Sequence, residues 1–185
     1  MNKIEARKKY LDLRKKLDNV QIISKSISIS NNLQDLPIWE HNFYHIYLPI
    51  KEKNEVDTIP IINILNNKKK KVLIPRSDFN NTTMKSFLLN DNTVLKKNNY
   101  GITEPINNEE FLGRIDVIFI PLVAYDLIGN RVGYGKGFYD KFLRNQNNKI
   151  LRVGLSFFNP EKRIKIDEHD ENLDFCVTPN RIFSF

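Results

Sequence analysis

One stretch of the sequence, residues 116–140, constrains the fold more than any other. It begins with an apolar run at 117–123 that is long enough for a buried strand. The chain then breaks at Gly129-Asn130 and enters Gly133-Tyr134-Gly135-Lys136-Gly137, after which a helix is expected. Strand, glycine loop and helix together bring backbone N–H groups and a helix N-terminus to one point, where they bind an anion, usually a phosphate.

This glycine loop matches neither familiar phosphate motif. Counted as a Walker P-loop, the spacing from Gly129 to Gly135 is one residue too long, and a glycine stands where Ser or Thr should hold magnesium. Counted as a dinucleotide fingerprint, it has Phe138 where a third glycine is needed. The residues leave two interpretations open. One is a turn that only reverses the chain; the other is an anion-binding loop, which the cations Arg131 and Lys136 favour.

Length and composition indicate one globular domain in a reducing compartment. The chain has 185 residues with an apolar share of 41%, enough to bury a core without crosslinks. Cys176 is the only cysteine, so an intramolecular disulfide is impossible. Met1 is followed by a charged segment without the apolar region of a signal peptide. No apolar run approaches the ~20 residues of a membrane span. We expect a soluble, cytoplasmic protein without a membrane partner.

The formal net charge of +7 raises the alternative of nucleic-acid binding. The basic residues are spread along the chain, and the densest run, 68–71, directly precedes an apolar segment. A solvated loop that enters a strand explains this run better than a binding face does. The chain also lacks an RNA-binding aromatic signature and zinc-finger spacing. We therefore expect no nucleic-acid partner and keep a nucleotide- or RNA-binding module as the alternative.

Periodicity predicts alternating strands and helices. Helices are expected at 2–17, 18–36, 58–65 and 137–146, with a short helical stretch near Glu109. Strands are expected at 43–48, 72–75, 83–89, 117–123, 151–157, 175–178 and 182–185. Residues 100–105 are expected to form a turn-rich connection. Strand, helix and strand with short connections are typical of a βαβ unit, so the sequence predicts a single α/β domain with a parallel sheet.

Three of these helices have predicted inward faces. The first carries an apolar stripe of Ala6, Tyr10, Leu13 and Leu17. The second is expected to place Val20, Ile23 and Ile27 on one side, and the last to turn Phe138, Phe142 and Leu143 inward. Lys3, Arg7 and Arg14 lie on or beside the stripe of the first helix, and the first two share a face. On periodicity alone they are surface charges of a basic helix.

Carboxylates beside the glycine loop suggest a magnesium site. Asp140 follows the loop directly, and the tail contributes Glu168, Asp170 and Asp174. Magnesium on a nucleotide is usually held by one or two carboxylates together with phosphate oxygens and water. The alternatives are a first-turn acid that complements the helix dipole for Asp140 and a solvated turn for the tail. The sequence has no Gly-x-Ser-x-Gly elbow, so nucleophilic acyl transfer is not expected.

Residues 129–140 resemble the signature of the 5-formyltetrahydrofolate cyclo-ligase family, also called 5,10-methenyltetrahydrofolate synthetase. The similarity extends over nearly the whole chain, through Lys3-x-x-x-Arg7, Leu48 with Glu55-Val-Asp-Thr58, Ile74-Pro-Arg76 with Met84, Tyr100-Gly-Ile-Thr-Glu-Pro105, and Glu168-His-Asp170 with Asp174. The order and spacing of these motifs make the resemblance specific. Phe138 stands where the family commonly has Tyr, and Thr103 replaces a usual proline.

The resemblance implies both a fold and a reaction. The implied fold is a three-layer α/β/α arrangement around a mainly parallel sheet, Rossmann-like and of the NagB, RpiA and CoA-transferase type. The implied reaction is ATP- and Mg²⁺-dependent closure of 5-formyltetrahydrofolate to 5,10-methenyltetrahydrofolate with release of ADP and phosphate. The implied partners are these two substrates, and the protein is expected to be a monomer. Another ATP-dependent enzyme on the same scaffold is a further alternative.

The resemblance also implies residue roles. ATP would be bound by Lys3, Arg7, Arg131, Val132, Gly133, Tyr134, Gly135, Lys136, Gly137, Phe138 and Tyr139. The folate would be bound by Leu48, Glu55, Tyr134, Gly135, Lys136, Gly137 and Phe138. Lys136 and Arg131 would be catalytic, because they stabilise charge on the transferring phosphoryl group. Asp140 and Asp170 would hold magnesium.

Overall fold

The computed structural model describes residues 1–146 and 148–185. Its helices are α1 (Lys3–Lys15), α2 (Asn19–Leu33), α3 (Ile59–Asn67) and α4 (Phe138–Arg144), with a 3₁₀ turn at Lys51–Lys53. The strands are β1 (Phe43–His45), β2 (Lys71–Asp78), β3 (Thr83–Leu88), β4 (Leu95–Lys97), β5 (Thr103–Pro105), β6 (Val117–Pro121), β7 (Ala124–Tyr125), β8 (Arg131–Val132), β9 (Leu151–Leu155), β10 (Phe175–Val177) and β11 (Ile182–Ser184). The strands predicted for the sheet and the four longer helices are present; most are shorter than predicted, but β2 is longer and α3 extends to Asn67.

The central sheet is mainly parallel. Its order is β11-β10-β9-β6-β1-β2-β3. The five inner strands pair in parallel, while β3 and β11 add antiparallel edges. The chain runs from β1 outward to β2 and later from β6 outward to β9 and β10, so the winding direction reverses between β1 and β6. Ligands of open α/β sheets bind at such a switch point, outside the carboxyl ends of the strands.

Two apolar layers cover this sheet. Alternate residues of a strand point to opposite faces, so Val117 and Phe119 join the core under α2 and α3. Ile118 and Ile120 join a second core that includes Phe142 of α4. These two layers around one sheet confirm the predicted three-layer α/β/α fold, and the inward face predicted for the last helix.

Helix α1 begins at a capping box, in which the Asn2 side chain accepts from two backbone N–H groups and Glu5 accepts from the Asn2 N–H. Its predicted stripe is buried at Ala6 and Tyr10, against a third core that includes Val132 of β8. This packing places the start of α1 beside the glycine loop.

The inward face predicted for α2 was wrong. Val20, Ile23 and Ile27 are 75%, 56% and 46% exposed, whereas the face toward the core carries Ser26, Ile29, Ser30 and Leu33. The small Ser26 allows close approach, and its hydroxyl accepts a hydrogen bond from the Asp57 N–H at 2.9 Å. On the buried face, Ser26 therefore makes a hydrogen bond to the Asp57 backbone where periodicity predicted apolar contacts.

Residues 95–110 also differ from the prediction. The stretch near Glu109 is not helical, because Glu110 forms a bridge with Phe87 at the sheet edge. The connection at 100–105 ends in strand β5, which pairs with β4 in a hairpin. Gly101 in the turn has φ +75°, a conformation that favours glycine.

A second unpredicted hairpin, β7–β8, turns the chain back toward the site. The buried Asp126 carboxylate accepts from the backbone N–H groups of Ile128 and Asn130, from the Asn130 side chain and from the Ile164 N–H. These bonds fix the loop that follows β7, so that β8 delivers Arg131 to the cavity. Within residues 1–146 and 148–185, no helix has the length and apolar character of a membrane span.

Candidate active site

A cavity of about 810 Å³ opens at the carboxyl ends of β1 and β6, where the winding direction reverses. All of the residues predicted for ATP, folate and metal line it: Lys3, Arg7, Leu48, Glu55, Arg131, Val132, Gly133, Tyr134, Gly135, Lys136, Gly137, Phe138, Tyr139, Asp140 and Asp170. Residues that are far apart in the sequence therefore share one concave surface. Their individual roles remain predictions.

The glycine loop needs glycine for two separate reasons. Gly135 and Gly137 have φ +91° and +71°, a region that side chains with a Cβ rarely adopt. At Gly135 an added Cβ would also lie 3.3 Å from the Arg7 guanidinium carbon. The loop is thus shaped so that a cation from α1 can approach its backbone closely.

Helix α1 covers the loop with two cations. The Arg7 Nε donates to the Gly133 carbonyl at 2.8 Å. The Lys3 ammonium donates to Asp167 at 2.7 Å and pairs with Asp170. Partial burial opposes the charge on Lys3, but the two carboxylates outweigh it and raise the pKa of Lys3. The interpretation of these residues as solvated surface charges was wrong, because both are engaged at the cavity wall.

Arg131 and Lys136 differ in their surroundings. The Arg131 side chain is 5% exposed, and its Nη2 donates to Asp140 Oδ1 at 2.7 Å. Burial lowers the pKa of Arg131, while the nearby carboxylates, Asp140 first, oppose this shift. Its Nη1 is buried without a hydrogen-bond partner in the described part of the chain. Lys136 is exposed at the tip of the loop, so it can follow a ligand without breaking a buried contact.

The two carboxylates predicted for magnesium both line the cavity. Asp140 Oδ1 accepts from Arg131 and from the Glu171 N–H at 3.1 Å, which places Asp140 beside the residue after Asp170. Asp170 Oδ2 accepts from the Asp167 N–H and pairs with Lys3. The second oxygen of each carboxylate has no protein partner among residues 1–146 and 148–185. The described residues hold no cluster of three or more metal-binding side chains.

The other two tail acids lie elsewhere. Asp174 forms a two-point contact with Arg152 at 3.1 Å and also accepts from the Arg152 N–H, so it fastens β9. Glu168 is exposed and is absent from the cavity wall. Of the acidic tail residues singled out in the sequence, only Asp170 reaches the cavity.

The opposite end of the cavity carries a buried acid. Glu55 is 5% exposed, and its Oε2 accepts from the Ile50 N–H at 2.7 Å. Its Oε1 is buried and has no partner in the part of the chain that is described. Burial raises the pKa of Glu55, while the Ile50 N–H, Tyr134 and Arg14 oppose this shift. Such a carboxylate is available to a ligand that offers N–H donors.

Aromatic side chains form the wall between the two ends. Phe79 stacks on Tyr100 with ring centroids 3.7 Å apart and meets Phe138 edge-on at 4.9 Å. The ring of Phe138 is therefore held by packing. Sequence reasoning missed Phe79, Tyr100 and the buried Tyr47, since an aromatic residue in a strand or turn reads equally well as core.

The interpretation of Arg14 as a surface charge was also wrong, because this residue is 3% exposed. Its Nη1 donates to the Tyr134 hydroxyl at 2.8 Å, and its Nη2 donates to the Leu122 carbonyl. A signal was present, because Arg14 follows Arg7 by seven residues and so repeats its helix face.

His45, below the site, stacks on Phe142, and burial lowers its pKa to about 3, so it is neutral near pH 7.

Fold and site together define an α/β protein in which a glycine loop with two cations shares one cavity with a buried carboxylate. The model of the family described as "5-formyltetrahydrofolate cyclo-ligase family" matches residues 1–179. The chain belongs to the 5-formyltetrahydrofolate cyclo-ligase family. This membership confirms the resemblance given by the sequence motifs and the expected class of ligase.

Individual proteins and one solved structure agree with this membership. A Haemophilus influenzae protein named 5-formyltetrahydrofolate cyclo-ligase is 46% identical over 69 residues, which cover 35% of this chain and 37% of that protein. A Schizosaccharomyces pombe protein named probable 5-formyltetrahydrofolate cyclo-ligase is 28% identical, with 90% of each chain covered. The solved structure of Aquifex aeolicus 5,10-methenyltetrahydrofolate synthetase is similar with a TM-score of 0.83 and 30% identity, and the match covers 98% of this chain and 92% of that one.

Proposed function

We propose that this chain uses ATP to close 5-formyltetrahydrofolate to 5,10-methenyltetrahydrofolate and releases ADP and phosphate. One observation carries the proposal: the cations of the glycine loop and the buried Glu55 line a single cavity of about 810 Å³. The cations suit the phosphates of a nucleotide, and an acid with a free oxygen suits the N–H edge of a pterin. The volume lies within the range of small-molecule sites.

ATP is required because a formamide is a poor electrophile. The formyl oxygen attacks the γ-phosphorus, the bond to ADP breaks, and an imidate phosphate forms. The neighbouring N10 amine then attacks the activated carbon, loses its proton, and phosphate leaves with the electron pair of the C–O bond. The protein contributes mainly by holding the formyl oxygen in line with the γ-phosphate and by stabilising negative charge.

In this proposal two groups of cations have different roles toward the phosphates of ATP. Lys136 and Arg131 stabilise the phosphoryl oxygens as charge shifts toward ADP. Lys3 and Arg7, which belong to α1, bind ATP from the side opposite residues 131–139. Arg131 suits its role because Nη1 is buried and unpaired among the described residues, while Nη2 is fixed by Asp140 at 2.7 Å. A donor fixed in this way needs little reorganisation during the reaction.

Asp140 and Asp170 fit a magnesium ion that accompanies ATP. Each carboxylate has one oxygen held by the protein and one left over, and Mg²⁺ in nucleotide sites takes one or two protein carboxylates beside phosphate oxygens and water. The ion, when bound, supplies positive charge to the β- and γ-phosphate oxygens. Arg131 and Lys3 keep the two carboxylates oriented in its absence.

At the folate end, Glu55 accepts from the pterin edge through Oε1, and Leu48 packs on the pterin ring. Tyr134 to Phe138 line the same cavity, and in this proposal they border both substrates. We further propose that the protein acts as a monomer in the cytoplasm; the lone Cys176 is buried and suits a reducing compartment.

The test follows the absorbance of the methenyl product with purified protein, 5-formyltetrahydrofolate and Mg²⁺, with and without ATP. Absorbance should rise only with ATP, and ADP should form in equal amount. ADP formation that requires a different co-substrate would point to another reaction on this scaffold. Salt-sensitive RNA binding without ATP turnover would instead support a binding module.

A further inference from the structure

One buried residue, Arg14, ties α1 to both ends of the cavity. Its guanidinium donates to the Tyr134 hydroxyl in the glycine loop at 2.8 Å and to the Leu122 carbonyl just beyond β6. Its backbone carbonyl accepts from the Asn54 side chain at 2.9 Å, immediately before Glu55. Three segments that form the cavity therefore meet at a single side chain and its backbone.

The chemistry of these contacts is unusual for a buried cation. Removing a charge from water is costly unless the charge is paired and hydrogen-bonded. The two acceptors of Arg14 are a phenol and a backbone carbonyl, which are both neutral. The positive charge of Arg14 lowers the pKa of Glu55 and so opposes the effect of burial on that carboxylate. Arg14 thus bonds to Tyr134 rather than to Glu55 itself, and Glu55 lines the cavity without an Arg14 hydrogen bond.

Glu55 depends on this support because it is buried. The titratable groups around it are Arg14 from α1, Lys53 from the 3₁₀ turn, Tyr134 from the glycine loop, Tyr139 from α4, and Tyr47 after β1. Arg14 and Lys53 are cations, and the Lys53 ammonium lies 4.4 Å from the centre of the Tyr134 ring. The Tyr134 side chain is therefore held between two cations, at the point where the loop meets the acid.

We propose that Arg14 is a positioning residue: by holding the Tyr134 hydroxyl of the glycine loop and the Asn54 side chain next to Glu55, it aligns Glu55 for the folate and so links the nucleotide loop to the folate end. The inference rests on the proposed function. Because Tyr134 belongs to the same loop as Gly133 and Lys136, a nucleotide that fixes the loop would also fix the Tyr134 hydroxyl that Arg14 holds. Each substrate should then bind more tightly when the other is present.

The test compares Tyr134→Phe, Arg14→Lys and Arg14→Met with Lys16→Met, which removes an exposed cation from the end of the same helix. Tyr134→Phe keeps the ring over Lys53 and removes only the hydroxyl. It should weaken 5-formyltetrahydrofolate binding about tenfold, the usual effect of one hydrogen bond to a charged group, and change ATP binding much less. The control should bind both like the wild type.

The pH profile separates positioning from simple structural support. Loss of the Arg14 charge in Arg14→Met should move the acid limb of kcat/KM for the folate to higher pH, since the neutral form of Glu55 is then favoured. Arg14→Lys keeps the charge, so its acid limb should stay near that of the wild type. A purely structural role would leave the acid limb of both variants unchanged.

One further measurement completes the test. In a double-mutant cycle, Arg14→Lys with Tyr134→Phe should lose no more folate affinity than the worse single variant, because both act through one contact. If Arg14→Met fails to fold, the folate affinities and acid limbs of Tyr134→Phe and Arg14→Lys test the inference. Wild-type folate affinity and acid limb in Tyr134→Phe would overturn the inference while the wild type still forms methenyl product. A wild type without that activity would instead overturn the proposed function.

Discussion

The two ends of the cavity use charge in opposite ways. At the phosphate end, which is the proposed ATP site around Lys3, Arg131, Asp140 and Asp170, cations and carboxylates pair with each other, as in Lys3 with Asp170 and Arg131 with Asp140. At the folate end, Glu55 is buried, and one of its oxygens has no partner among the described residues. A ligand at the phosphate end must replace these internal ion pairs. At the folate end, Glu55 is already fixed before the ligand binds. We expect substitutions at the first end to affect mainly turnover and ion dependence, and at the second mainly folate affinity.

The largest effect is expected at the phosphate end, for Lys136→Ala. The change should lower kcat by about 10²–10³, the usual loss for one charge-stabilising donor. Stability should change by less than ~0.5 kcal/mol, because Lys136 is exposed and supports no core. Steady-state kinetics and thermal unfolding measure the two quantities. Lys8→Ala, an exposed cation of α1, is the control; an unchanged kcat in Lys136→Ala would remove this residue from the mechanism.

The matching change at the folate end is Glu55→Gln. It keeps the shape of the side chain and removes the charge, so KM for 5-formyltetrahydrofolate should rise about 10–100-fold, with a smaller effect on KM for ATP. A larger effect on ATP would show that the two ends have been assigned the wrong way round. Asp57→Asn, a nearby substitution outside the cavity wall, serves as the control.

The same Glu55→Gln protein should be more stable without substrates. Burial raises the folded-state pKa of Glu55 above its unfolded value. The ionised form therefore lowers stability at neutral pH, and this cost disappears as the pH falls through the folded-state pKa. Gln carries no charge, so its melting temperature at pH 7 should exceed that of the wild type, by about 2–4 °C per kcal/mol gained. The difference should shrink in acid; a lower melting temperature at pH 7 would contradict it.

Sequence alone indicated the glycine loop more directly than the surroundings of Glu55. Alternating glycines and cations form a local pattern that backbone geometry requires, as Gly135 and Gly137 show. The supports of Glu55 come from separate segments, with Arg14 far earlier in the chain and Tyr134 far later. Such tertiary contacts leave only weak local traces, for example the seven-residue spacing of Arg7 and Arg14.

The errors in the fold have a similar origin. Helix α2 contains more apolar side chains than its buried face uses, so periodicity chose Val20, Ile23 and Ile27, while the hydrogen bond from Asp57 selected the face with Ser26. The β7–β8 hairpin depends on Asp126, whose partners include Ile164 from a distant part of the chain. Local patterns predict the strands of the central sheet, whereas long-range polar contacts determine the face of α2 and the β7–β8 hairpin.

A smaller effect is expected for Asp140→Asn. The amide keeps an acceptor for Arg131 but weakens a magnesium ligand, so half-maximal activity should need about 10–100 times more Mg²⁺, the usual range for a weakened metal site. Titration of activity with Mg²⁺ at saturating ATP measures this. Glu168→Gln, an exposed tail acid outside the cavity wall, should leave the titration unchanged. An unshifted titration in Asp140→Asn would mean that Asp140 serves only to hold Arg131.

The smallest effect, expected for Lys3→Met, tests the exchange of internal pairs for ligand pairs. Lys3 leaves its carboxylate partners to reach a phosphate, so much of its attraction to ATP replaces an attraction already present in the free protein. We expect KM for ATP to rise only about 3–10-fold, in line with the modest energies of partly exposed ion pairs. The rise should shrink as salt is added, because salt screens exposed charges. Lys8→Met controls for loss of net charge. A hundredfold, salt-independent rise would mean that this end too is fixed before ATP binds, and the contrast between the two ends would fail.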